Sequence, residues 1–135
     1  WMKTKTDLIF ELTNPYNNPY QGNDSRLLFV CSVGLLRSPT AANVAIKLGY
    51  NARSCGSDHE LSLIPISVNL IYWAHSIFFL NQENYKETLN NFLGDKYTLE
   101  ELNSKYVIWD IPDNYEYNHP ELIELITNLL VDDNE

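Results

Sequence analysis

Four short strand-like runs recur along the chain, at residues 27–30, 52–55, 77–80 and 106–109, and a helical pattern separates each from the next. No other feature constrains the fold as much. Neighbouring parallel strands need a crossover, and crossovers within one sheet are right-handed. Strand–helix repeats therefore predict an α/β fold: a four-stranded parallel sheet with helices on both faces. Leu27-Leu28-Phe29-Val30 is apolar at every position, as a central strand buried on both sides must be.

The intervening patterns predict helices over residues 39–48, 67–74, 82–92 and from Pro120 onward, with one further turn at 99–102. Ser38 is a good N-cap for the first helix, Pro39 suits its first position, and Gly49 suits its stop. Ala41, Val44, Ala45 and Leu48 fall on one stripe of it. Leu122, Leu125, Ile126, Leu129 and Leu130 make the clearest amphipathic stripe in the chain, on the last helix. Residues 1–25 read differently. A short helix over 3–12 precedes a stretch dense in Asn, Pro, Gly and Ser, so this part is expected to be an irregular N-terminal arm. Residues 26–135 are then one domain, long enough for a single core.

A net charge of −9 disfavours a nucleic-acid partner and requires any phosphate site to be a local positive spot. No apolar run approaches membrane-spanning length, and no secretory signal is visible, so neither a membrane partner nor export is expected. Two cysteines, Cys31 and Cys55, are too few for a disulfide scaffold and point to the reducing cytoplasm. They lack the partners of a zinc site, so neither a metal nor a cofactor is expected. A monomer or weak dimer is the expected state.

Chemistry concentrates in Cys31-Ser32-Val33-Gly34-Leu35-Leu36-Arg37-Ser38-Pro39-Thr40, which joins the first strand to the first helix. Across such a turn, Cys31 can sit below a tetrahedral dianion while Arg37 clamps two of its oxygens. Gly34 permits the loop to curl, so that the amides of Ser32, Val33, Gly34, Leu35, Leu36 and Arg37 point inward. The helix adds its positive N-terminal end, and these donors together favour a thiolate nucleophile. The Ser38 hydroxyl can donate to the sulfur. A strand-end cysteine can also be just a small buried hydrophobe, but the preceding strand, the glycine and the Ser-Pro-Thr helix start favour an anion-binding catalytic loop. Ligands in parallel sheets bind beyond the carboxyl ends of the strands, where both Cys31 and the segment from Asp110 to Tyr117 are expected.

The motif Cys31-x5-Arg37-Ser38-Pro39-Thr40-Ala41 resembles the signature loop of the low-molecular-weight protein tyrosine phosphatase superfamily. The chain is most similar there to a group of short bacterial predicted tyrosine phosphatases. In that group a Leu-Arg-Ser-Pro-Thr-Ala loop accompanies a later Asp-Ile-Pro-Asp-x-Tyr segment, here Asp110-Ile111-Pro112-Asp113-Asn114-Tyr115. The resemblance covers about residues 26–131. It implies that Cys31 attacks phosphorus to form a phosphocysteine, while Arg37 and the loop from Ser32 to Ser38 hold the phosphate. It also implies a carboxylic acid that protonates the leaving group and then activates water. Asp113 aligns with that acid, with Asp110 as the alternative, and Tyr115 and Tyr117 are expected to line an aromatic cleft.

The sequence departs from the family pattern at several positions, and Val33 and Leu35 are more apolar than a phosphate site leads one to expect. Gly34 stands where an asparagine usually braces the loop, His75 where an aspartate follows Trp-Ala, and Asn81 where a carboxylate usually ends the third strand. His75 reads as structural, as do His59 and His119. Cys55 reads as packing, with a protective disulfide to Cys31 as the sharper alternative. Tyr16 and Tyr20 of the arm are candidates to cover the cleft. The expected function is a cysteine-dependent phosphomonoesterase acting on a phosphotyrosine protein or aryl phosphate. The departures keep open a phosphate-ester-binding module without efficient turnover. An arsenate reductase fits less well, because only Cys55 is left to relay a disulfide.

Overall fold

The computed structural model describes residues 25–32, 37–112 and 114–133. Four strands, β1 (Arg26–Cys31), β2 (Asn51–Gly56), β3 (Ser76–Phe79) and β4 (Tyr106–Ile108), form one all-parallel sheet in the order β2-β1-β3-β4. Between and after them run the helices α1 (Arg37–Lys47), α2 (Val68–Trp73), α3 (Gln82–Asn91), α4 (Lys96–Asn103) and α5 (Pro120–Asp133). The expected arm, its helix, and Tyr16 and Tyr20 lie outside the described residues.

The sheet separates two apolar cores, and alternation along β1 assigns its side chains to them. Leu27, Phe29 and Cys31 face α1 and α5, where they meet Ala41, Val44, Ala45, Leu122, Ile126 and Leu130. Leu28 and Val30 face α2, α3 and α4, among Ile66, Leu70, Ile71, Phe79 and Leu102. Both faces of β1 are thus covered, which is why its run lacks polar residues.

The sense in which successive strands are added reverses at β1. The crossover through α1 leads out to β2, and the next one returns past β1 to β3 on its other side. This is the topological switch point of an open parallel sheet, where a crevice opens beyond the carboxyl ends of the strands. Aromatic packing ties that edge together. Phe29 stacks on Phe78 at 5.1 Å, and Trp109, just past β4, lies 4.7 Å from Phe78. Such pairs add about 0.5–1.5 kcal/mol beyond their buried area. They link the strand that ends at Cys31 to the segment that begins at Asp110.

The structure corrects four local expectations. Ser38 is not the N-cap of the first helix: α1 already includes Arg37, which leaves the Ser38 hydroxyl for contacts described below. Leu48 lies past the end of α1 and is largely exposed, because the chain turns at Gly49, whose φ of 99° suits glycine. The turn at 99–102 is part of a full helix, α4, capped by Asp95, whose side chain accepts from the Thr98 N–H. A disulfide between Cys31 and Cys55 does not fit. Cys31 belongs to the core on one face of the sheet and Cys55 to the core on the other. No helix among the described residues is long and apolar enough to cross a membrane.

Candidate active site

Cys31 is the last residue of β1, at the switch point, and it is buried. Its sulfur lies 3.1 Å from the Ser38 hydroxyl, which in turn donates to the Cys55 carbonyl at 3.2 Å. Ser38 therefore bridges the ends of β1 and β2 from the first turn of α1. Arg37, at the start of the same turn, is only 1% exposed. A guanidinium that is always charged is held so deep only by hydrogen-bonding partners. Its Nη1 donates to the Ile111 carbonyl at 2.9 Å. The described ends of the predicted anion loop, Cys31 and Ser32 on one side and Arg37 and Ser38 on the other, thus come together. Val33, Gly34, Leu35 and Leu36 lie outside the described residues.

The segment expected to carry the acid leaves β4 at this same edge. The Trp109 N–H donates to the Phe79 carbonyl at 2.8 Å, and the Ile111 N–H donates to the Leu80 carbonyl at 3.0 Å. Pairing with the β3 side therefore continues beyond β4 and brings Ile111 next to Arg37. Three residues on one side of α1 hold the segment. Arg37 takes the Ile111 carbonyl, the Thr40 hydroxyl accepts from the Asn118 N–H at 2.8 Å, and the Asn43 amide donates to the Tyr117 hydroxyl at 2.6 Å. Asn118 has a φ of 57°, a left-handed conformation that asparagine tolerates. Thr40 and Asn43 were not singled out from the sequence, because their partners lie more than 70 residues away.

Asp113 lies outside the described residues. Asp110 is exposed, immediately after Trp109. Tyr115 packs against the core beside α1 and α5, with its ring 5.4 Å from that of His119. Tyr117 is half exposed. His119 Nδ1 accepts from the Glu121 N–H, a capping contact at the start of α5. His75 lies at the opposite end of the sheet, where its Nδ1 accepts from the Arg26 N–H. Its role there is structural. Asn81 is the N-cap of α3 and accepts from the Asn84 N–H at 3.0 Å. Burial pushes the Cys55 thiol well above its ordinary range, and the neighbouring Cys31 sulfur adds to the effect. Cys55 is thus an inert packing thiol.

A polar cluster behind Cys31 escaped sequence reading. The Ser57 N–H donates to the Cys31 carbonyl at 2.8 Å, and its hydroxyl donates to Glu87 Oε1 at 2.5 Å. The Ser32 carbonyl accepts from the Asp58 N–H at 2.8 Å and from the Ser62 hydroxyl at 3.1 Å. The amides of Asn84 and Asn91 reach into the same region from α3. Among the described residues, no group of acidic, histidine and cysteine side chains could hold a metal ion.

No protein-family model matches the chain, and no curated protein matches it by sequence. Solved structures do resemble it. Wzb from Vibrio vulnificus, in complex with benzylphosphonate, is 17% identical with a TM-score of 0.63, covering 81% of this chain and 98% of that one. The low-molecular-weight protein tyrosine phosphatase from Campylobacter jejuni is 16% identical with a TM-score of 0.56, covering 82% of this chain and 96% of its own. The chain has the low-molecular-weight protein tyrosine phosphatase fold. The arginine phosphatase YwlE, in a mutant whose active-site serine is phosphorylated, shares this architecture at 17% identity and a TM-score of 0.57, covering 82% of this chain and 96% of that one.

Proposed function

We propose that this chain is a cysteine-dependent phosphomonoesterase whose nucleophile is Cys31. One observation carries the reading: at the switch point of this fold, the buried Cys31 sulfur sits 3.1 Å from the Ser38 hydroxyl, beside the fully buried Arg37. In the proposed reaction the Cys31 thiolate attacks phosphorus, an S–P bond forms, and the P–O bond to the leaving alcohol or phenol breaks. Arg37 and the amides from Ser32 to Arg37 hold the three equatorial oxygens as charge develops on them. Asp113 donates its proton to the leaving oxygen. It then takes a proton from water, which attacks phosphorus and releases inorganic phosphate and the Cys31 thiolate.

Phosphotyrosine is the substrate class this reading favours, with Tyr115 and Tyr117 following Asp113. Phosphoarginine is the competing class, since the neighbours of this fold include both a tyrosine and an arginine phosphatase. The buried thiols support a reducing compartment, the cytoplasm. Hydrolysis of an aryl phosphate by the full chain, abolished in Cys31→Ser, tests the activity. Parallel assays with phosphotyrosyl and phosphoarginyl peptides sort the substrate class.

The second reading is a phosphate-ester-binding module with little turnover. Asn81 favours it, because this residue caps α3 where the family pattern has a carboxylate. Tight binding of an aryl phosphonate without hydrolysis of the matching phosphate, across the pH range, would select that reading.

A further inference from the structure

Helix α3 carries two inward stripes of different chemistry. Tyr85 and Leu89, with Phe92 at the C-cap, pack into the apolar core, whereas Asn84 and Thr88 form a buried polar stripe beside them, with Asn91 half-buried and Glu87 exposed at its rim. Asn84 and Thr88 are fully buried. Fully burying an asparagine is unfavourable unless its amide is used. Here it is used. The Asn84 Nδ2 donates to the Ser32 hydroxyl at 3.1 Å and reaches the Ser57 hydroxyl at 3.4 Å.

Both recipients sit at strand ends that shape the candidate site. Ser32 is the first residue of the loop after Cys31, and Ser57 follows β2 and donates its N–H to the Cys31 carbonyl. Asn84 is fixed from behind, because its own N–H is bound by the Asn81 cap. Gly34 has no side chain with which to brace the loop from within. A rigid donor on an adjacent helix supplies such a brace from outside.

We propose that Asn84 is a positioning residue that holds Ser32 and thereby sets the near end of the anion loop. It touches neither the phosphate nor Cys31, and it acts through the Ser32 hydroxyl. The proposal rests on reading residues 31–37 as an oxyanion site, so its test reads oxyanion binding directly and does not depend on turnover.

The experiment is calorimetric titration of the full chain with inorganic phosphate, paired with thermal unfolding of each variant. Asn84→Ala is expected to weaken phosphate binding by about three- to tenfold, the range spanned by the net contribution of one hydrogen bond. Ser32→Ala is expected to weaken it to a similar degree, and the double variant to add nothing further, since both remove one contact. Thr88→Val, one turn along the same buried stripe, is expected to leave phosphate affinity unchanged whatever it does to the unfolding temperature.

Wild-type affinity in Asn84→Ala, additive losses in the double variant, or an equal loss in Thr88→Val would each overturn the proposal while leaving the anion-site reading intact. If Asn84→Ala folds poorly, Ser32→Ala alone carries the test, and full affinity there overturns the proposal. A wild-type chain that binds no phosphate overturns the anion-site reading and the brace with it.

Discussion

The Arg37 guanidinium donates through Nη1 to the Ile111 carbonyl at 2.9 Å, so the side chain assigned to the phosphate also holds the backbone two residues before Asp113. In the proposed reaction the same planar group would also bind the oxyanion, which would couple that binding to the backbone at Ile111.

Replacing Arg37 with lysine keeps the charge but removes the fork that makes both contacts. We expect kcat/KM for an aryl phosphate to fall by about 10²- to 10³-fold in Arg37→Lys, the loss typical of one oxyanion donor. Steady-state kinetics check this. A loss under tenfold would mean that Arg37 serves the fold rather than the phosphate.

The other end of the acid segment depends on Thr40, whose buried hydroxyl accepts from the Asn118 N–H at 2.8 Å. Thr40→Val keeps the shape and removes the acceptor, at a cost of about 1 kcal/mol in denaturant unfolding. Hydrogen exchange at Asn118 is expected to speed up in the variant. Unchanged exchange there would show that the contact does not hold the segment.

Asp113→Asn is expected to lower kcat by about 10²- to 10⁴-fold for phosphate esters with poor leaving groups, and far less for activated ones. Asp110, exposed just beyond Trp109, is expected to tolerate the same change within a few-fold. Kinetics across a series of substituted phenyl phosphates separate the two. The opposite ranking would exchange the roles of the two aspartates.

Because burial pushes the Cys55 thiol up from 9.0, the folded chain keeps that proton where the unfolded chain sheds it. Below the unfolded value both states are protonated, and Cys55 has no effect on the pH dependence. Above it stability falls as pH rises, with a contribution approaching about 1.4 kcal/mol per pH unit. Denaturant unfolding between pH 8 and about pH 10 should show a shallower fall in Cys55→Ala than in the wild type. Equal slopes would show that Cys55 does not titrate in this way.

Local pattern made much of this fold legible. The unbroken apolar run of residues 27–30 marks a strand covered on both faces, and Leu122, Ile126 and Leu130 are the buried ridge that their spacing predicts. The meeting of Cys31 and Ser38 is local for a similar reason, since a strand end and a helix start lie only seven residues apart. Where distant residues decide the outcome, local reading failed. Ser38 looks like a cap, but the neighbouring end of β2 supplies a carbonyl and Cys31 a sulfur for its hydroxyl. Asn84 and Asn91 look like part of a solvated helix face, and only their contacts with Ser32 and Ser57 draw them inward. Helix α4 shows little apolar periodicity in the sequence, since it buries only Thr98 and Leu102.

Rapid quenching of the full chain with an aryl phosphate at limiting substrate, followed by peptide mass spectrometry, shows directly whether Cys31 is the nucleophile. One phosphoryl group is expected on Cys31 during turnover, accumulating in Asp113→Asn and absent in Cys31→Ser together with the activity. Hydrolysis that survives in Cys31→Ser, or a phosphoryl group found on any other residue, would contradict that role for Cys31.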